Sequence, residues 1–407
     1  MEPSLIQRLL DLAVTVQQIP APTFAEGQRA AFIWEQFSNE GLCDVAIDEV
    51  NNVYGRLPGA GFAPPLVVSA HLDTVFPAST GLAVTRTPER IYGPGIGDNS
   101  LGVAGLLGLV WALRQASGDC QMLREIAPQL SFAYEGDCYR NSGNLHATSR
   151  ISKSDGLPGD VWLVANTGEE GLGDLGGMRA VVERFGERVL AYIILEGMAL
   201  GHIYHRALAV RRYRITLRTA GGHSWVDYGK PSAVHELAAL ITRLAALPIP
   251  TRPRASLNVG VIEGGTTVNT IAAEAHLELD LRSESAPTLN DLVSQVERLV
   301  QAVNYPGLQS TAEVIGLRPS GRIPASHPLV RLAERCLIEQ GLRPNLTIGS
   351  TDANLPLSLG LPALCLGLST GGGAHTVDEY VNISPLNQGM EQLLGVVEGA
   401  FLRVWSP

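Results

Sequence analysis

Leu66-Val-Val-Ser-Ala-His-Leu-Asp-Thr-Val75 is the stretch on which the reading of this chain turns. Its first five residues carry no charge, the texture of a strand buried on both faces in a parallel sheet. The run then stops on His71 and Asp73. Packing gains nothing from a charged pair beside an apolar strand. A strand that ends this way points to the crevice beyond the carboxyl ends of an open α/β sheet, where ligands are bound.

The same texture recurs on either side, in Val161-Trp-Leu-Val-Ala165, Ala191-Tyr-Ile-Ile-Leu195 and Ala363-Leu-Cys-Leu366. Helices are expected near the N-terminus and over 26–39, 101–115, 178–185 and 328–340, so strands alternate with helices. The fold class is α/β, a mainly parallel sheet domain flanked by helices. From about residue 210 the pattern changes to alternating strands at 213–217 and 275–281, with helices over 233–247 and 288–303. This predicts a smaller inserted α+β domain, a lid beside the sheet. The expected division is a catalytic domain from 1–209 and 317–407 and an inserted domain from 210–316. Residues 117–159 show no sustained period and are read as an unusual insertion.

At 407 residues the chain exceeds the ~250–300 at which single cores stop growing, which agrees with two domains. Hydrophobic residues at 45% against charged ones at 17% describe a globular chain rather than a disordered one. The formal charge of −10 disfavours nucleic acid and anionic membranes, because both repel acidic surfaces. Arg211, Arg212 and Arg214 fall in an alternating run and read as one polar face of a strand. Five scattered cysteines without a C-x-x-C pair indicate a reducing compartment and no thiolate metal site. The acidic, amphipathic start does not resemble a signal peptide, and the apolar helix over 101–113 falls short of the ~20 residues a bilayer crossing needs. A cytoplasmic protein is expected.

The chemistry-bearing residues gather where strands end. His71 follows one strand, Glu169 and Glu170 another, Glu196 a third, and His375 lies past the fourth. Asp98 closes the glycine-rich Gly93-Pro-Gly-Ile-Gly-Asp98, just before a helix. Two imidazoles with several carboxylates suit zinc, and a bridging carboxylate holds two ions about 3.5–4 Å apart. Two zinc ions per chain are expected, with manganese or cobalt as substitutes. Asp73 is placed to accept the other N–H of His71. Adjacent carboxylates on an extended chain face opposite ways. One of Glu169 and Glu170 therefore binds metal while its neighbour serves as general base toward the attacking water.

His-Leu-Asp-Thr-Val at 71–75, Gly-Asp-Asn at 97–99, Gly-Glu-Glu-Gly at 168–171 and Gly-Gly-His-Ser at 221–224 stand in the order found in one family. The chain resembles the co-catalytic zinc hydrolases related to carboxypeptidase G, aminoacylase, succinyl-diaminopimelate desuccinylase and peptidase T, over nearly its whole length except 117–159. The resemblance implies that Asp98 bridges the ions, that His71 and Glu196 complete one site and Glu170 and His375 the other, and that Glu169 is the base. It also implies a homodimer in which His223 reaches the partner's active site, and a substrate held by Asn269 and Arg282. Small peptides and N-acyl amino acids are both implied substrates. Glu196 leans to deacylases, and Ser350-Thr-Asp-Ala-Asn354 to peptidase T-like members.

Other readings fit less well. Gly171-Leu-Gly-Asp-Leu-Gly176 satisfies a dinucleotide fingerprint, but Glu169, Glu170 and Asp174 put negative charge where a pyrophosphate must sit. Gly367-Leu-Ser-Thr-Gly371 satisfies a serine-hydrolase elbow, yet no helix follows it directly. A non-catalytic binding module predicts a broken ligand set, and every expected position is filled. His202 and His205 lie in a strand or turn, and they, with His146, His235, His276 and His327, read as ordinary structural or surface residues.

Overall fold

The computed structural model describes residues 2–126 and 157–403, and the apolar strands form the centre of a nine-stranded sheet. Val161–Asn166, Leu66–His71, Ala191–Glu196 and Ala363–Gly367 lie side by side and parallel. Every residue of Leu66–His71 is buried, so its sequence shows no polar alternation. The flanks are antiparallel, through Cys43–Ile47 and Val53–Leu57 on one side and His202–Ala207 and Gly321–Arg322 on the other. The sheet is thus parallel at its centre and mostly antiparallel toward its edges, although Asn345–Gly349 pairs in parallel with His202–Ala207. In the strand His202–Ala207, His202 and His205 are an odd number of residues apart and point to opposite faces. They form no ligand pair, and His205 Nδ1 bonds the Ile323 carbonyl at 2.8 Å.

The helix expected over 101–115 runs as Leu101–Ile126, so the start of the supposed insertion continues it. The greater part of that insertion, residues 127–156, lies outside the described residues. Ile96–Gln115 spans 20 residues with hydropathy enough for a bilayer, but 94% of that stretch is buried inside the protein. It is a core helix, packed on Pro3–Gln17 and on the sheet.

The inserted unit is a four-stranded antiparallel sheet in the order Ala255–Gly264, Glu274–Ser283, Ala209–Thr219, Leu308–Arg318. Leu217, Leu277, Leu281, Leu240 and Val296 pack between this sheet and the helices Ala233–Ala245 and Ala286–Gln301. The second helix starts earlier than its apolar period indicates, because Ser285 caps it by accepting from the Thr288 N–H. Arg211 shares the parity of the buried Tyr213, Ile215 and Leu217, so it is not on the polar face expected for it; on that opposite face Arg212, Arg214 and Arg218 are spent on cross-strand pairs. Arg212 meets Asp280 at 2.9 Å, Arg214 meets Glu278 at 2.7 Å and Arg218 meets Glu274 at 2.7 Å.

Candidate metal centre

Four consecutive peptide N–H groups after the strand Val161–Asn166 are each held by a buried side chain. Thr167 N–H donates to Asn52 Oδ1 at 3.0 Å and Gly168 N–H to Glu26 Oε1 at 3.2 Å. Glu169 and Glu170 N–H donate to the two oxygens of Asp73 at 3.0 and 2.8 Å. Backbone that would be orphaned at a strand end is thereby fixed, and the two glutamates are presented at the crest of the sheet. Asp73 serves His71 as well. Its carbonyl lies 3.1 Å and its Oδ1 3.5 Å from His71 Nδ1. Both can only accept, so Nδ1 carries the proton and Nε2 turns a lone pair toward the crevice.

That lone pair faces Asp98 Oδ1 at 3.1 Å and Glu196 Oε2 at 3.8 Å. The other oxygen of Asp98 faces His375 Nε2 at 3.2 Å, and His375 Nε2 lies 3.3 Å from Glu170 Oε1. The donor atoms of His71, Asp98 and Glu196 lie within 4.8 Å of one another, and so do those of Asp98, Glu170 and His375. All five expected ligands converge, with Asp98 shared. Groups crowded at such distances need positive charge among them, from protonated imidazoles or a bound cation, and this donor set fits zinc or another divalent ion.

The electrostatics agree with a centre built around positive charge. Hydrogen bonds to Asp98 and Glu170 raise His375 to about 10. Burial pushes Asp98 up, but the two imidazoles outweigh it and hold the carboxyl below its usual range. Glu196, with burial only partly opposed by His71, is pushed up to about 7.

Three supports escaped the sequence reading. Asn99 staples the Asp98 turn to the neighbouring strand, donating to Leu195 O at 2.8 Å and accepting from Gly197 N–H at 2.9 Å. Glu379, fully buried, accepts the N–H groups of Gly95, Gly97 and Asp98 at 3.2, 2.6 and 2.8 Å. Arg318, 4% exposed, donates to Glu169 Oε1 at 2.8 Å. Asn99 stands inside a motif the sequence reading had singled out, and Glu379 follows His375 closely. Arg318 carries no local signal.

The cavity over the centre has a volume of about 570 Å³, and its lining includes Glu169, Arg212 and Arg282. Arg282 reaches it from the inserted sheet, its Nε held by Asp280 at 2.7 Å. His223 and Asn269 do not line it. They sit exposed on the ribbon where Gly222–His223 pairs with Thr270–Ile271, next to Trp225 and Tyr228, which are 86% and 90% exposed. The two decoy motifs resolve structurally. Ser369 is buried and donates to Asn382 O at 2.6 Å, and Asp174 within the glycine-rich loop accepts the Leu317 N–H at 2.8 Å.

The chain matches the Peptidase dimerisation domain family over residues 210–307 and Peptidase family M28 over residues 52–203. It is 24% identical to succinyl-diaminopimelate desuccinylase of Corynebacterium glutamicum, across 94% of this chain and 92% of that protein. A tripeptidase from Staphylococcus aureus shares the fold with a TM-score of 0.74 at 21% identity, covering 98% of this chain and 99% of that one. A dinuclear metal-binding peptidase of the M20 family from Bacillus subtilis does so with a TM-score of 0.63 at 15% identity, covering 98% and 99%. These matches bear out the resemblance read from the motifs and the α/β fold with its inserted domain. The chain is an enzyme, a metal-dependent hydrolase of C–N amide bonds.

Proposed function

We propose that this amide hydrolase of the M20 metallopeptidase family cleaves small peptides or N-acyl amino acids, using two divalent ions, zinc by preference. The observation that carries the reading is the position of Asp98, each of whose oxygens faces a different imidazole, with Glu196 beside one and Glu170 beside the other. His71 and Glu196 would hold one ion, Glu170 and His375 the other, and Asp98 both. Ions held there would supply a lowered pKa for the attacking water and polarisation of the scissile carbonyl.

Glu169, buried at the crest, takes the water's proton and returns it to the departing nitrogen. Arg282 offers its open fork to a substrate carboxylate. His223 and Asn269 act from the exposed ribbon of a second copy of the chain, and Trp225 and Tyr228 supply the apolar contact that seats it.

Deacylation alone is the second reading, favoured by Glu196 and by the desuccinylase match across 94% of the chain. Dipeptides, tripeptides and N-acetyl amino acids, assayed with protein of measured metal content, test both. About two ions per chain, and cleavage lost on chelation and regained with zinc, are expected. Turnover of the N-acetyl substrates alone selects the deacylase. Protein that binds no divalent ion and cleaves nothing sinks the proposal.

A further inference from the structure

Arg318 ends the strand Leu308–Arg318 of the inserted sheet, yet its guanidinium is buried at the catalytic crest. Nη1 donates to Glu169 Oε1 at 2.8 Å and to Ser350 Oγ at 3.1 Å, and Nη2 donates to the Glu169 carbonyl. The fork thus grips one carboxylate oxygen and the peptide of the same residue. That fixes how the glutamate side chain turns and leaves its other oxygen for the attacking water.

A buried ion pair is a poor device for stability, because desolvating both charges cancels most of the attraction. Substrate binding is also a poor account. Arg318 is 4% exposed with both terminal nitrogens engaged, whereas the side chain of Arg282 is 40% exposed and, among the described residues, tied only to Asp280.

Neighbouring contacts run the same way. Leu317 N–H donates to Asp174 at 2.8 Å, Arg179 donates to Leu317 O at 2.8 Å, and Arg212 of the inserted sheet donates to Gly171 O. The segment from Glu169 to Arg179 is therefore fastened to the inserted sheet at several points.

We propose that Arg318 is a positioning residue that aims the Glu169 carboxylate, so that the base is aligned only while the inserted sheet is docked on the crest. This rests on Glu169 being the base. Arg318→Lys keeps the charge but replaces the fork with a single point donor. A misaimed base costs on the order of 10²-fold. The expected result for Arg318→Lys is a fall of that size in kcat with KM and metal content unchanged, and a smaller fall in the same direction for Ser350→Ala. Combining Arg318→Lys with Glu169→Gln costs no more than Glu169→Gln alone, since both act through one group.

A raised KM with kcat intact makes Arg318 a substrate ligand and overturns the proposal. Unchanged kinetics for Arg318→Lys beside an inactive Glu169→Gln overturn it while leaving the base in place. An active Glu169→Gln with its metal bound overturns the base assignment itself.

Discussion

Glu379 shows how one residue governs the loop that presents Asp98 without joining the candidate ligand groups. Its carboxylate gathers three peptide N–H groups, and burial pushes its pKa up to about 7 against the pull of those donors. Gly95 carries a φ of +74° there, a conformation glycine takes without strain. Glu379→Gln presents an amide NH2 to donors that need an acceptor. Loss of such outer support typically costs 10–100-fold in metal affinity. The expected outcome for Glu379→Gln is that much weaker binding of one ion, read by competition with a chromophoric chelator; unaltered affinity would mean that the loop holds itself. His71 with Asp73 was the readable pair, because two residues on one strand end are neighbours by covalent geometry. Glu379 and the Asp98 turn meet only through tertiary packing.

Elements with a clean period were visible in the sequence; those defined by a cap or a partner strand were not. Leu66–His71 and Ala191–Glu196 are apolar runs that only a two-sided burial explains. Asn345–Gly349 and Ala255–Gly264 went unread, since neither has a fully buried face to mark it.

The helix Gly176–Phe185 has a structural role at its start. A Cβ at Gly177 would lie 2.3 Å from the Thr167 carbonyl oxygen and 2.4 Å from Asn52 Oδ1, in the segment that leads to Glu169 and Glu170. Gly177→Ala must push that backbone, and overpacking of this kind costs about 1–3 kcal/mol. Thermal unfolding should show a lower Tm with poorer metal retention. Gly176→Ala, with nothing within 4 Å of its Cβ, serves as the control and is expected to be neutral or slightly stabilising. Equal effects would show that the close approach at Gly177 is unimportant.

At the scale of the molecule, two core clusters are joined by contacts at the cavity, and the exposed ribbon bearing His223 and Asn269 does not line it. If a second copy completes each site, His223→Ala and Glu169→Gln are each inactive, and mixing them under conditions of subunit exchange restores activity. In the mixed dimer one crest keeps its glutamate and receives an intact histidine. Failure to restore activity, with exchange verified, would place His223 outside the partner's site.

By itself the sequence determined the α/β architecture, the inserted unit and the acidic and imidazole residues that converge on the candidate site. Burial on two faces forces continuous apolar runs, and a polar residue stranded at the end of such a run has few reasons to be there. Only the tertiary structure decided which side chains aim them. Arg318 on Glu169, Glu379 on the Asp98 turn and Asn99 on Leu195 are separated by 149, 281 and 96 residues. Hydrogen bonds formed across such separations leave no period or local spacing in the chain, because the fold alone makes those residues neighbours.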